Sequence, residues 1–409
     1  MTRKRTLALA STLVIAIVAL GAGQAALRAS VSKAADAPYF EVDPMWPKPL
    51  PNHWILGSTI GVGVDSRDHV FIIHRGYATL TARTEAGLDL KPPTGECCAA
   101  APPILEFDPD GNLVKAWGGP GAGHDWPLSN HGISIDHKDN VWIGGNGTCS
   151  DSLLTAKACT VAGSGDSYIL KFSHDGKFLM QIGEASKPVN SNSMTSFGRV
   201  AKISFDVKAN EAYLADGYGN RRVAVIDMDN GQIKRYWGGY GEKPADGRLA
   251  PYHPDSTLIR SFRNPVHCAE PANDGLVYVC DRVNDRIQVF QKDGKFVKEV
   301  RIAPKTLGDG SVWDIAFSRD PEQKYIYLAD GKNEHVYIMD RQSLEILTQF
   351  GDGGRQPGQW FAVHSIATDS KGNIYTTETY EGKRVQKFNY MGLRPVTKKD
   401  QGVVWPPRR

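Results

Sequence analysis

One pattern of apolar strands and polar turns is repeated six times along the 409-residue chain. Each copy has an apolar strand, a turn of the Asp-x-x-Gly or Asp-Asn type and an apolar or aromatic strand, followed by a second strand–turn–strand pair. The inner pairs of the six copies occupy residues 60–76, 131–145, 201–218, 267–282, 313–332 and 364–380. Four strands in each interval of 46 to 71 residues match the size of one propeller blade. The repeat therefore predicts an all-β fold, a single six-bladed β-propeller.

The sixth copy has no clear fourth strand before the C-terminal tail. Residues 39–46, YFEVDPMW, have the pattern of an outer strand and could complete that blade. A ring closed by the start of the chain would leave no exposed sheet edge. We therefore expect the propeller to span residues 39–392, with an N-terminal strand closing the last blade and residues 393–409 forming a tail. Long insertions are expected at residues 78–103, 145–167 and 241–263.

The N-terminus has the pattern of an export signal. Basic residues at 3–5 precede an apolar run over 7–22 and small residues around Ala25. We expect residues 1–25 to be a signal peptide cleaved near Ala25, followed by a linker over 26–38. The alternative is an uncleaved anchor, since the run is slightly shorter than the ~20 residues of a spanning helix. Either reading predicts a periplasmic or secreted protein.

The charge of the chain argues against a nucleic-acid partner. The net charge is +3, and the three basic residues at 3–5 account for the whole excess. No basic stripe remains in the rest of the chain, so nucleic acid is not an expected ligand. Contact with a membrane is expected only through an uncleaved anchor.

Six cysteines can oxidise in an exported protein. Cys268 and Cys280 lie on two strands of one predicted blade and could face one another, so we expect a disulfide between them. A second is expected between Cys149 and Cys159, within an insertion. The vicinal pair at 97–98 is left open: free, bonded to each other, or paired elsewhere.

Aligning the six copies shows one equivalent position at the mouth of each innermost strand. It is occupied in order by Ile60, His131, Ala201, His267, Trp313 and His364. Histidine thus fills every second blade. Alternate blades of a six-fold ring stand about 120° apart, so three imidazoles at one height would converge on the central axis. Three neutral nitrogen donors with an open fourth position form a catalytic zinc arrangement, which we predict here, with another divalent metal as the alternative. The competing interpretation is three separate histidines that line a channel.

The residues that close the second strand of each blade should lie beside these histidines. They include Arg75, Tyr218, Arg282, Lys332 and Tyr380. A cationic and phenolic rim above a metal suits a small anionic substrate, because Arg can hold a carboxylate through two parallel hydrogen bonds. Of these five we expect Arg75, Tyr218 and Arg282 to act on the substrate, and Lys332 and Tyr380 to be solvated loop residues.

Six motifs follow one another between residues 60 and 388: VFIIHRG, HGISID, ADGYGNRRV, VHCAEP, CDRVNDRIQVF and VHSIATDSKGNIY. In these motifs the chain resembles the peptidyl-α-hydroxyglycine α-amidating lyase family, which has a six-bladed propeller of the NHL type. The resemblance implies that zinc is held by His131, His267 and His364. It also implies that Tyr218 is the catalytic tyrosine, Arg75 the essential arginine and Arg282 a second active-site arginine. The implied reaction cleaves the C–N bond of a carbinolamide and releases an amide and glyoxylate.

Two positions depart from that family. Ser365 stands where the family has an Asp ligand to a structural calcium, and loss of the main charged ligand argues against calcium here. Gly219 stands where the family has a cysteine after the tyrosine.

Two other functions stay open on sequence alone. One is a lactonase-like hydrolase, although such propellers bind calcium through Glu, Asp and Asn side chains, and the repeat places His in the channel instead. The other is a non-catalytic NHL-repeat propeller that binds a protein or a glycan on one face.

Overall fold

The computed structural model describes residues 35–150, 159–255 and 257–407. The predicted signal or anchor at 1–25 and most of the linker at 26–38 lie outside the described residues. Within the described ranges no helix is long and apolar enough to cross a membrane.

The regular structure of the described residues consists of strands and short 3-10 helices. The strands are β1 (Asp36–Asp43), β2 (Trp54–Ile55), β3 (Thr59–Val64), β4 (Val70–His74), β5 (Ala99–Ala100), β6 (Ile104–Phe107), β7 (Leu113–Trp117), β8 (Asn130–Ile135), β9 (Val141–Gly145), β10 (Tyr168–Phe172), β11 (Phe178–Gly183), β12 (Val200–Asp206), β13 (Glu211–Asp216), β14 (Arg222–Asp227), β15 (Ile233–Trp237), β16 (Val266–Pro271), β17 (Leu276–Asp281), β18 (Arg286–Gln291), β19 (Phe296–Arg301), β20 (Asp314–Phe317), β21 (Tyr325–Asp330), β22 (His335–Asp340), β23 (Ile346–Phe350), β24 (Val363–Thr368), β25 (Ile374–Glu378) and β26 (Val385–Pro395). The 3-10 helices are Gly76–Ala78, Val207–Ala209, Gly239–Gly241 and Arg282–Asn284.

Six four-stranded antiparallel sheets form the blades. Their strand orders are β3-β4-β6-β7, β8-β9-β10-β11, β12-β13-β14-β15, β16-β17-β18-β19, β20-β21-β22-β23 and β24-β25-β26-β1. The innermost strand of each blade contacts the innermost strand of the next, and β24 contacts β3 to complete the circle. The predicted all-β, six-bladed propeller is confirmed.

The start of the chain closes the ring, as the sequence predicts. Strand β1 pairs antiparallel with β26, with Phe40 opposite Tyr390 and Val42 opposite Phe388. Both strands run three residues beyond the predicted limits of the propeller, to Asp36 and to Pro395. The C-terminal segment continues along this blade, where the amide of Val42 donates to the carbonyl of Val404 at 2.8 Å. The closing blade is therefore held by both ends of the folded chain.

The recurring turn aspartates shape the inner hairpins. Asp136 illustrates this: its Oδ1 accepts the backbone N–H groups of Lys138 and Asn140, both at 2.9 Å. Its Oδ2 accepts the indole N–H of Trp142 on the following strand at 2.9 Å. The carboxylate thus fixes the turn and orients a core side chain, which is why Asp recurs at this point of the repeat.

Burial decreases from the axis to the rim of each blade. All five residues of β4 are buried, whereas Val114 on β7 is 51% exposed. Inner strands pack against neighbouring blades on both faces. Their sequences are therefore continuous apolar runs, such as VFII in β4. This packing makes the axis a rigid support for the side chains at its mouth.

The described residues contain three disulfides. They are Cys97–Cys98, Cys149–Cys159 and Cys268–Cys280. The second and third confirm the predicted pairs, and Cys268 lies directly opposite Cys280 in the ladder of β16 and β17. In the first, Cys97 and Cys98 are bonded to each other, which was one of the three alternatives left open by the sequence. Three disulfides are consistent with a secreted protein.

Candidate metal centre and active site

The three histidines of the repeat meet on the propeller axis. His131 is the second residue of β8, His267 of β16 and His364 of β24, so each stands at the mouth of an alternate blade. The ring centroids are 5.3 Å apart for His131 and His267, 5.0 Å for His131 and His364, and 4.8 Å for His267 and His364. One nitrogen from each lies within 4.8 Å of the others. This spacing allows all three to bind one ion.

Hydrogen bonds orient two of the imidazoles. Nδ1 of His131 lies 2.7 Å from the carbonyl oxygen of Ala201, and Nδ1 of His267 contacts the carbonyl oxygen of Trp313. A carbonyl only accepts, so each Nδ1 carries the proton and each Nε2 presents a lone pair toward the axis. Nδ1 of His364 is buried without a hydrogen-bond partner in the described part of the chain.

All three imidazoles are held in the neutral form that binds metals. Burial, with the positive charge of Arg75, lowers the pKa of His131 to about 3. Burial also lowers the pKa of His267 and of His364 well below the ordinary value, and the charge of Arg282 and the neighbouring imidazoles add to this effect. The donor set, its protonation and the unpartnered His364 nitrogen all fit a zinc ion.

Tyr218 lies against this triad. Its Oη is 2.9 Å from Nε2 of His131 and 3.1 Å from Nε2 of His267. Nη1 of Arg282 is 3.4 Å from the same oxygen, and the Arg282 guanidinium stacks 4.5 Å from the centroid of the Trp313 ring. The phenolic oxygen is thus shared between the histidines and a cation.

Arg75 approaches from the first blade. It donates through Nε to the carbonyl of Asn130 at 3.1 Å and through Nη2 to Oδ1 of Asn146 at 2.9 Å. Burial lowers its pKa from the ordinary value. Its Nη1 makes no hydrogen bond to the described residues, so a donor remains for a ligand.

Two polar residues of this region were missed by sequence reasoning. Arg199 donates to the carbonyl of Tyr218 at 3.1 Å, and Asp309 pairs with Arg282 at 3.2 Å and accepts from the Tyr380 hydroxyl at 2.9 Å. Arg199 could have been found from the repeat, because the residue two before the strand mouth is uncharged in the other five copies. Asp309 lies in a connection with no repeated counterpart.

Tyr380 and Lys332 were both expected to be solvated loop residues. Tyr380 is 49% exposed, but its hydroxyl contacts Asp309. Lys332 is exposed.

Below the histidines an ion network crosses the channel, in which Asp314 is buried and Lys202 and Glu270 are half-buried. Nζ of Lys202 lies 2.7 Å from Oδ1 of Asp314 and 2.8 Å from Oε1 of Glu270. Burial alone would lower the pKa of Lys202, but the two carboxylates hold it above the ordinary value. Ser365, which replaces the calcium ligand of the similar family, donates to Oδ2 of Asp314 at 2.8 Å. An ammonium group therefore supplies positive charge to the carboxylates at this level of the channel.

A second cluster of His and carboxylate side chains lies away from the axis. Asp65, Glu106 and His174 have ligand atoms within 4.8 Å of one another. The guanidinium of Arg67 lies among them, 3.0 Å from Asp65 and 3.3 Å from Glu106, and also contacts His174. A cation of the chain thus already contacts both carboxylates and the imidazole of this cluster.

Comparisons with known proteins give low but extended similarity. No family model matches the chain. NHL repeat-containing protein 3 of Mus musculus is 24% identical over 88% of this chain and 86% of its own length. Peptidyl-glycine alpha-amidating monooxygenase B of Xenopus laevis is 23% identical over 82% of this chain and 34% of its own length, and the Rattus norvegicus enzyme is 24% identical over 79% and 30%. The chain thus spans about a third of the length of the monooxygenases that it matches.

Among solved structures, a streptogramin B lyase covers 87% of this chain and 98% of its own, at 10% identity and a TM-score of 0.48.

Proposed function

We propose that this protein is an exported zinc-dependent lyase that cleaves the C–N bond of an α-hydroxyglycine derivative and releases an amide and glyoxylate. The observation that supports this most is the position of the Tyr218 hydroxyl, within 3.1 Å of Nε2 of both His131 and His267. A phenolic oxygen at this position is placed to take a proton from a substrate hydroxyl held beside the three imidazoles. The similarity to the alpha-amidating monooxygenases agrees with an enzyme that forms amides.

His131, His267 and His364 would hold the zinc, which, when bound, would supply a Lewis acid for the substrate hydroxyl. Arg75 would bind the substrate carboxylate through its free Nη1. Tyr218 would take the hydroxyl proton through its phenolic oxygen, which lies 3.4 Å from Nη1 of Arg282. As the C–N bond breaks, its electron pair and one proton go to nitrogen, and the former hydroxyl oxygen becomes the aldehyde oxygen of glyoxylate. No water is consumed, so the reaction is an elimination and not a hydrolysis.

The direct test is product formation from α-hydroxyhippurate. We expect benzamide and glyoxylate in equal amounts, at a rate that falls to the spontaneous rate after chelation and returns with zinc. His137→Ala is the matched control, because His137 is exposed at a turn outside the triad. Absence of glyoxylate above the spontaneous rate from zinc-loaded protein would refute the proposal and favour a hydrolase or a binding propeller.

A further inference from the structure

A groove of about 500 Å³ crosses the face of the propeller between the first two blades. At its inner end lie Arg75 and Asn130, and at its outer end lies the segment 118–120, just after the outermost strand of the first blade. Its volume is within the range of small-molecule binding sites. The groove therefore links the candidate active site to the rim.

The lining of the groove combines several apolar and aromatic side chains with a few polar ones. Trp54, Trp126 and Leu128 line it together with several prolines, and Tyr77 contributes its ring. Among the described residues of the lining, Arg75 and Asp89 are the charged ones, and Asp89 accepts a hydrogen bond from the Tyr77 hydroxyl. A ligand that complements this lining has a negative group at one end and an apolar, flat group at the other.

The apolar walls are held in place before any ligand binds. Trp54 lies on β2, which pairs in parallel with β5, and the amide of Ala99 in β5 donates to the carbonyl of His53 at 3.1 Å. The vicinal Cys97–Cys98 disulfide directly precedes β5. On the opposite side Trp126 packs against Phe172, with ring centroids 6.1 Å apart. Rigid aromatic walls bind an aromatic group at little entropic cost.

The groove is continuous with the metal centre. Nε of Arg75 donates to the carbonyl of Asn130, and Asn130 directly precedes His131. If Nη1 of Arg75 held the carboxylate of an α-hydroxyglycine substrate, the α-carbon of the substrate would lie near the histidines. The acyl group on the substrate nitrogen would then point into the groove.

We propose that this groove binds the N-acyl group of the substrate, and that this group is aromatic and uncharged. The inference rests on the proposed lyase function, since it names the substrate class of the same site. The natural substrate is then an N-aroyl-α-hydroxyglycine or a compound of similar shape.

The first test compares two substrates that differ only in the acyl group. Wild-type kcat/KM should be at least about tenfold higher for N-benzoyl- than for N-acetyl-α-hydroxyglycine, because the phenyl ring adds buried apolar surface. Trp126→Ala should reduce this ratio to about threefold or less, and Trp126→Phe should retain most of it. Trp405→Ala, at a tryptophan that is 46% exposed in the C-terminal segment, should leave the ratio unchanged. Equal rates for the two wild-type reactions, or a ratio insensitive to both Trp126→Ala and Trp54→Ala, would overturn the proposal.

The second test measures binding without turnover. Calorimetric titration with hippurate and with N-acetylglycine, which lack the reactive hydroxyl, should show tighter binding of hippurate by about tenfold. Trp126→Ala should remove the difference, and Arg75→Met should weaken both ligands alike. If hippurate binds more tightly and Trp126→Ala removes the difference, but no substrate yields glyoxylate, the proposed lyase function is wrong and the proposed binding site for the acyl group is retained. If glyoxylate forms but the acyl group affects neither rate nor affinity, the groove alone fails.

Discussion

The phenolic oxygen of Tyr218 lies 2.9 Å from Nε2 of His131. A hydroxyl at this distance can exchange a proton with a group bound at the three histidines, and the backbone carbonyls that orient His131 and His267 from their opposite sides stay in place when the hydroxyl is removed. Acid–base function and metal binding are therefore separable in this site.

Tyr218→Phe should abolish turnover and preserve the metal site. We expect kcat for α-hydroxyhippurate to fall by about 10²–10⁴-fold, the usual contribution of a general base, with zinc content and melting temperature unchanged. Tyr325→Phe is the control, because its hydroxyl binds the carbonyl of Asp36 at the ring closure and should not affect kcat. A Tyr218→Phe protein with wild-type kcat would show that another group removes the proton.

Lys202→Met should destabilise the propeller. The substitution leaves the buried Asp314 and the half-buried Glu270 without their shared cation, and removing one partner of a buried ion pair typically costs about 3–5 kcal/mol of unfolding free energy, which is an upper bound for this partly exposed pair. Urea unfolding at pH 7 measures the change, with Lys332→Met as the exposed control. Adding Asp314→Asn and Glu270→Gln to Lys202→Met should recover part of the loss. A decrease below about 1 kcal/mol for Lys202→Met would contradict the assigned role of the network.

Calcium should have little effect on wild-type stability. Lys202 contacts both Asp314 and Glu270, so its ammonium group would compete with a calcium ion for these two carboxylates. We expect the melting temperature in millimolar Ca²⁺ and in a calcium chelator to agree within about 1 °C. A rise of several degrees on adding calcium would reveal a bound ion, because a ligand specific for the folded state stabilises it.

Asp285→Asn should alter the pH dependence of stability. Asp285 is buried and accepts from the Ser311 amide at 2.8 Å, and burial raises its pKa to about 7. Between about pH 4 and pH 7 the folded state keeps a proton that the unfolded state has released, so the unfolding free energy falls as pH rises, by at most about 1.4 kcal/mol per pH unit. Asn, which tolerates the positive φ of 51° at this position, removes that slope.

Urea unfolding at pH 5 and pH 7.5 tests this expectation. The unfolding free energy of Asp285→Asn, taken relative to that of wild type, should be higher at pH 7.5 than at pH 5. Asp110→Asn, at an exposed turn, should show no such change. A constant difference between Asp285→Asn and wild type would refute the raised pKa.

The fold could be predicted because the same pattern of strands and turns recurs six times in the sequence. Turn aspartates such as Asp136 mark the same point of successive inner hairpins, so alignment alone fixed the equivalence of the strand mouths. The alternation of histidine then predicted which residues would meet. Equivalent positions in alternate blades of a six-bladed ring are spaced evenly around the axis, so side chains at these positions point to a common centre. The prediction that residues 39–46 close the last blade followed from the same pattern.

The groove could not be predicted in this way, and the ion network was missed although the repeat contains part of its signal. Lys202 and Asp314 are 112 residues apart, but each directly follows a strand mouth, at Ala201 and at Trp313. The walls of the groove come from an insertion and from blade connections, which have no counterparts among the repeats. Contacts between unique residues of different blades leave no periodic signal in a single sequence.

Zinc K-edge X-ray absorption of the purified, zinc-reconstituted protein tests the central claim most directly. We predict about one zinc per chain, bound by three imidazole nitrogens at about 2.0–2.1 Å and one oxygen. The metal should be retained in His137→Ala and lost in His131→Ala and His364→Ala. A protein that binds no zinc after reconstitution, or whose zinc lacks imidazole ligands, would contradict the account.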